Sequence, residues 1–173
     1  MEAVKILFVL CLMLESCNCW QNNYDGALSY ECPAGQVLSE ISSQHSNYYE
    51  DRRWDFKCQN TAVLTPTTTF SCIWHNKVNE YDEEMDFKCP SWSAIAGLRS
   101  VNSNQYKDRV WDVKCCRVKE RPTRCIMSDY VNSYGGNMMH RIHPTNFIEG
   151  IYSVHSNTYE DRRYKFYECN MRL

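Results

Sequence analysis

The chain carries none of the short signatures on which most enzyme families rest. It has no G-x-S-x-G, no P-loop and no H-E-x-x-H; His140-Arg141-Ile142-His143 has the two histidines but lacks the glutamate. The remaining histidines, His45, His75 and His155, assemble no acid–base constellation at these spacings, so no catalytic residue is assigned. No C-x-x-C pair occurs, which argues against a structural zinc, and no cofactor or metal is called for. There is no N-x-S/T sequon and no R-G-D. The formal net charge is −2, so nothing in the charge balance drives the chain toward nucleic acid or an anionic membrane. No stretch beyond the N-terminus shows a sustained helical stripe, and only one long apolar run exists.

That run lies in residues 1–19. Lys5 gives a weakly positive start, Val4 to Leu14 is apolar apart from Lys5, and Cys17 and Cys19 are small residues at −3 and −1 of a cut before Trp20. This is the shape of a cleaved secretory signal, too short to span a bilayer, and the expectation is a secreted, extracellular protein of one domain, residues 20–173. Removing the signal leaves eight cysteines: Cys32, Cys58, Cys72, Cys89, Cys115, Cys116, Cys125 and Cys169. An even number in a secreted chain reads as a disulfide framework with no free nucleophilic thiol.

What the sequence has in abundance is itself, three times. Asp51-Arg52-Arg53-Trp54-Asp55-Phe56 returns as Asp108-Arg109-Val110-Trp111-Asp112-Val113 and as Asp161-Arg162-Arg163-Tyr164-Lys165-Phe166. Each follows a similar lead, ending in Ser46-Asn47-Tyr48-Tyr49, Ser103-Asn104-Gln105-Tyr106 and Ser156-Asn157-Thr158-Tyr159. A second motif, around Tyr24, Tyr81 and Tyr134, recurs with the same spacings of 57 and 53 residues. One unit is therefore used three times, at 20–59, 77–116 and 130–169, with insertions between.

The repeat also argues the cysteine pairing. Cys32 and Cys58 hold the places that Cys89 and Cys115 hold in the second unit; the third has Ile142 and Glu168 there. Joint loss is what a bonded pair predicts, giving Cys32–Cys58 and Cys89–Cys115. Cys116 and Cys169 align one residue further on, each with one spare cysteine before it, giving Cys72–Cys116 and Cys125–Cys169. The swap of Cys72–Cys115 with Cys89–Cys116 stays open. Secondary structure reads as strand: Trp54, Phe56 and Cys58 share one face, and Arg53, Asp55 and Lys57 the other. The stretch 61–69, with Pro66 among five threonines, reads as an exposed loop. The expectation is an all-β, disulfide-rich domain with threefold internal pseudo-symmetry, trefoil-like or prism-like, whose closure removes free sheet edges.

Three sets of residues invite a binding role, and each also has a plainer reading. Arg52, Arg109 and Arg162 of the Asp-Arg pairs offer guanidinium forks to anionic sugars, or else make a salt bridge repeated with the fold. Asn47, Asn104 and Asn157, with Tyr49, Tyr106 and Tyr159, offer hydroxyl-binding amides beside ring-stacking faces, or else form a tight turn that needs asparagine. Tyr81, between Glu80 and Asp82-Glu83-Glu84, has the acidic surroundings that suit tyrosine sulfation, or else is a core tyrosine like Tyr24 and Tyr134.

The D-R-x-W repeats, the opening Asn22-Asn23-Tyr24-Asp25-Gly26-Ala27-Leu28-Ser29-Tyr30-Glu31-Cys32 and the cysteine spacing resemble the dermatopontin family, within it most nearly the haemagglutinin/amebocyte aggregation factor type. The resemblance covers essentially all of residues 20–173. It implies a secreted, non-enzymatic protein of matrix or haemolymph that binds cell-surface glycans, proteoglycans, collagen or other matrix proteins and promotes adhesion or aggregation of cells. A lectin of innate defence with a defined sugar specificity is the alternative. The chain departs from the vertebrate pattern in having eight cysteines instead of ten after the signal, and in lacking a long acidic, tyrosine-rich N-terminal arm.

Overall fold

A computed structural model of the chain describes residues 20–60, 72–90, 92–119 and 121–170. The expected signal at 1–19 and the threonine-rich stretch at 61–69 lie outside the described residues. The described residues form strands and no helix: β1 (Leu28–Glu31), β2 (Gln36–Ser46), β3 (Asp51–Asn60), β4 (Cys72–His75), β5 (Met85–Lys88), β6 (Ser93–Ser103), β7 (Asp108–Arg117), β8 (Cys125–Met127), β9 (Met138–Arg141), β10 (Asn146–Ser156) and β11 (Asp161–Asn170).

Each repeat contributes one long antiparallel hairpin, β2–β3, β6–β7 or β10–β11. The period-two pattern sets their faces. In β3, Trp54 and Phe56 are buried while Lys57 is exposed; in β7, Trp111 and Val113 are buried. Each hairpin carries the same bulge, between Leu38 and Glu40, Ile95 and Gly97, and Ile148 and Gly150. At Gly150 the Phe87 carbonyl of the neighbouring strand comes so close that a Cβ would collide with it.

The short opening strand of each repeat does not pair with its own hairpin. β1 of the first repeat pairs with β6 of the second, β5 of the second with β10 of the third, and β9 of the third with β2 of the first. The result is three sheets, in the orders β1-β6-β7-β4, β5-β10-β11-β8 and β3-β2-β9, each built from two repeats. Backbone bonds from Cys32 N to Ala96 O, Cys89 N to Glu149 O and Ile142 N to Ser39 O extend each exchange past the strand end. The first strands of the three hairpins, β2, β6 and β10, pack against one another, so the sheets face a common interior.

That interior is aromatic. Trp54 meets Trp111 edge to face at 5.0 Å and Tyr164 at 5.3 Å, one ring from each repeat. Leu38, Ile95 and Ile148 fill equivalent buried positions around them. Burial pushes the Tyr164 phenol above its ordinary pKa. The asparagine opening each repeat ties the rim to this core. Asn22, Asn79 and Asn132 accept from the backbone N–H of Trp54, Trp111 and Tyr164, and donate to the carbonyls of Arg52, Arg109 and Arg162.

Four disulfides join Cys32 to Cys58, Cys89 to Cys115, Cys72 to Cys116 and Cys125 to Cys169. Cys115 and Cys116, on opposite faces of β7, reach different partners: Cys89 at the end of the second repeat's opening strand, and Cys72 on the neighbouring strand β4. Closing loops of 26 and 44 residues, each bond contributes about 3–4 kcal/mol in the chain-entropy description.

Two measurements check this architecture. Peptide mapping without reduction should recover the four pairs above, and a peptide linking Cys72 to Cys115 would overturn the placement of the adjacent cysteines. Trp54→Ala and Trp111→Ala should each cost about 3–5 kcal/mol in denaturant unfolding, as large buried rings do. Lys57→Ala, which removes an exposed lysine and leaves Glu40 paired with Arg141, should cost about 0.5 kcal/mol or less; equal costs would mean the strand register is inverted.

Candidate functional site

The Asp-Arg pairs stand at the start of β3, β7 and β11, where each hairpin leaves its turn. Neighbours on an extended strand point to opposite faces, so Asp51 and Arg52 cannot pair with each other. Each arginine instead reaches into another repeat. Arg52 forks both oxygens of Asp161 at 2.6 Å, Arg162 both of Asp108 at 2.6 Å, and Arg109 both of Asp51 at 2.7 and 2.6 Å. The three forks close into a ring: first repeat to third, third to second, second to first.

The ring is fully furnished. Each arginine also donates to a serine of its own hairpin, Ser43, Ser100 or Ser153. Each aspartate accepts a backbone N–H from the opening loop of its own repeat, from Asp25, Asp82 or Gly135. Burial would pull the Arg162 guanidinium down, but the hydrogen bonds and charge of Asp108 outweigh it and hold its pKa above the ordinary value. Arg52, Arg109 and Arg162 are only 3, 3 and 2 % exposed, and this corrects their place among the candidate glycan-binding residues. Buried and bidentately paired, they clamp the repeats together and present no fork to solvent.

Because the ring sits directly beneath the turns 47–50, 104–107 and 157–160, it gathers the three turns at one end of the molecule, here called the apical end. There the tyrosines of the two repeated motifs meet. Tyr24 stacks on Tyr49 at 4.8 Å, Tyr81 on Tyr106 at 4.9 Å and Tyr134 on Tyr159 at 4.9 Å, with interplanar angles of 10°, 9° and 7°. Tyr49, Tyr106 and Tyr159 are exposed, and their partners are half-buried. Tyr81 is thus neither a core residue nor a free one: it is the inner ring of the second stack.

Asn47, Asn104 and Asn157 are exposed at the same turns. Asn104 accepts from Asn102, which also donates to Asp25 of the first repeat. Asn157 lies 3.0 Å from the Nδ1 of His155, whose ring also faces Asp82 of the second repeat at 3.2 Å. The Oδ1 of Asn47 lies next to Gly135 of the third. Each tyrosine stack therefore has beside it the asparagine turn of another repeat, and stacks and turns alternate around the ring.

The three stacks are not identical in charge. Arg53 lies over Tyr24 and Trp20, and Arg163 over Tyr134 and Tyr130; the second repeat has Val110 at that place. Asp82, Asp108 and His155 come close enough to suggest a cation site, yet both Asp108 oxygens are taken by Arg162 and the far nitrogen of His155 faces the Lys107 carbonyl. The second close group, Cys125, Glu149 and Cys169, has its two cysteines in a disulfide.

The family model described as Dermatopontin matches residues 22–173. The chain belongs to the dermatopontin family. It is 37% identical to the hemagglutinin/amebocyte aggregation factor of Limulus polyphemus, across 99% of each chain. It is 32% identical to Millepora cytotoxin-1 of Millepora dichotoma, over 86% of this chain and 65% of that one. It is 34% identical to the dermatopontin of Biomphalaria glabrata, over 81% and 92%. No solved structure matches the chain. Among the described residues no helix is long and apolar enough to cross a membrane. The three-sheet arrangement, the arginine–aspartate ring and the stacked tyrosines all fall within the residues that the dermatopontin model covers.

Sequence reasoning gave the asparagine turns and the outer tyrosines, but missed that Tyr24, Tyr81 and Tyr134 complete them. The signal was present, since both tyrosines recur in every unit at constant separation.

Replacing Arg109 with alanine should cost about 3–5 kcal/mol in urea unfolding, because Asp51 is left buried without its partner. Arg109→Lys should recover only part of that loss, since an ammonium cannot fork both oxygens. Arg109→Ala within 1 kcal/mol of the parent would refute the clamp.

Proposed function

We propose that this chain is an extracellular adhesion protein that binds cell-surface or proteoglycan glycans at its apical end and aggregates cells. The observation that carries the reading is the triplet of stacked tyrosine pairs, each with an exposed outer ring beside an exposed asparagine. A tyrosine face offers an apolar surface to a sugar ring, and an amide both donates to and accepts from hydroxyls. Stacking fixes each ring in place, so little side-chain entropy is lost when a ligand arrives. Three weak contacts on one molecule multiply through effective concentration, which is how a small protein can hold a densely glycosylated surface.

The names of the relatives agree with a role of this kind, one of them being a hemagglutinin and aggregation factor. Between the two ligand classes, the exposed groups favour neutral hydroxyl-rich sugars at the Tyr81–Tyr106 stack, where no arginine lies over the rings. Arg53 and Arg163 add a cation to the other two. The lectin reading, with defined sugar specificity, rests on the same stacks and turns.

Purified protein should agglutinate erythrocytes or haemocytes without any added enzyme activity. Exchanging Asn47, Asn104 and Asn157 for alanine one after another should lower the titre stepwise, while the thermal midpoint holds within a few degrees. Neutral sugars should compete against agglutination at physiological salt. A folded triple variant that agglutinates at full titre would show that the turns are only turns.

A further inference from the structure

One residue breaks the repeat at the opposite end of the molecule. The turn that leads into each hairpin has Gly35 in the first repeat, Trp92 in the second and Thr145 in the third. Gly35 has a φ of 83°, the left-handed region that glycine enters freely. Trp92 keeps a left-handed φ of 55° at the same place, where a bulky side chain is a conformational outlier. It is also 42% exposed, so the strained backbone is not compensated by burying the indole. A backbone outlier with an exposed aromatic side chain points toward a use for that side chain.

The surroundings of Trp92 indicate the use. It lines an open cleft with Arg121, Thr123, Arg124 and Glu149. The Arg121 guanidinium lies 5.8 Å from the centre of the indole ring. Among the described residues, neither Arg121 nor Arg124 pairs with a carboxylate, in a molecule where three other arginines are doubly forked. Glu149 is half-buried, with no hydrogen-bond donor to its carboxylate among the described residues, and burial pushes its pKa up, with Lys88 opposing. The cleft thus holds an apolar platform, two unpaired cations and one acceptor awaiting donors.

We infer that this basal cleft is a second saccharide site, taking a sugar that carries an anionic group. The ring's C–H face rests on the Trp92 indole, Arg121 and Arg124 grip the sulfate or carboxylate, and hydroxyls donate to Glu149. Trp92 comes from the second repeat, Arg121 and Arg124 from the segment that follows it, and Glu149 from the third repeat. The site lies at the far end of the β6–β7 hairpin from the Asn104 turn, roughly 35 Å away along the eleven residues of β6. It does not depend on the apical reading.

Titration calorimetry with a heparin-derived hexasaccharide tests it, with maltohexaose as the uncharged control. The parent protein should bind the charged probe, more weakly as salt rises, and the control far less. Trp92→Gly should keep or raise the thermal midpoint, since glycine suits the left-handed turn, and should bind about tenfold more weakly. Arg121→Ala with Arg124→Ala should weaken binding about tenfold or more and flatten its salt dependence. The Asn47, Asn104 and Asn157 triple variant should bind as the parent does. Unchanged affinity in Trp92→Gly or in the double arginine variant overturns the site. So does loss of binding in the triple variant, which would move it to the apical end. Failure of the apical reading shows instead as full agglutination by that triple variant, a separate result.

Discussion

The closed ring of Arg52–Asp161, Arg162–Asp108 and Arg109–Asp51 is the interaction on which the rest depends. Six charges are taken out of water, which is costly, and the cost is met only when all three repeats are in position. An aromatic core of Trp54, Trp111 and Tyr164 drives burial but does not by itself say in which order the repeats follow around it. The ring does, because each guanidinium must find both oxygens of an aspartate in a different repeat. The same aspartates hold the opening loops through Asp25, Asp82 and Gly135, and those loops carry the inner tyrosines. Fold and candidate binding surface thus share one set of atoms.

Much of this was legible in the amino-acid order. Burial with period two marks Trp54, Phe56, Trp111 and Val113 as core, and the three-unit register marks the asparagine turns. The arginines were harder. An Asp-Arg dipeptide suggests a local pair, while the actual partners lie 109, 58 and 54 residues away. The strand geometry held the clue, since adjacent strand residues face apart and each must look elsewhere. Nothing in the order of residues says that β1 leaves its own hairpin for β6. A four-residue strand with one buried side chain fits any sheet edge equally well, and only closure of the whole ring selects among them. The cleft around Trp92 was legible only as a mismatch, an indole in a slot where the first repeat has glycine.

Sites at two ends differ in consequence from sites at one. Three stacks facing the same way would strengthen attachment to a single surface, because all of them would meet the same layer. Joining two surfaces requires either a second molecule or a second direction. The hairpins, rigid and cross-linked by disulfides, set the distance between apical turns and basal cleft, so the separation is a property of the fold and not of a linker.

The exchange of opening strands also has a temporal side. β2 is complete early in synthesis, yet its outer neighbour, β9, carries Arg141, which lies 101 residues beyond its partner Glu40. The first sheet therefore waits, with one edge unpaired, until nearly the whole polypeptide has emerged from the ribosome. A single repeat made alone would hold an opening strand with no sheet to join and a sheet with no opening strand. Its natural remedy is another copy, and three such copies trading strands in a circle would rebuild the same shape. The covalent chain can thus be understood as three strand-trading units held in one polypeptide.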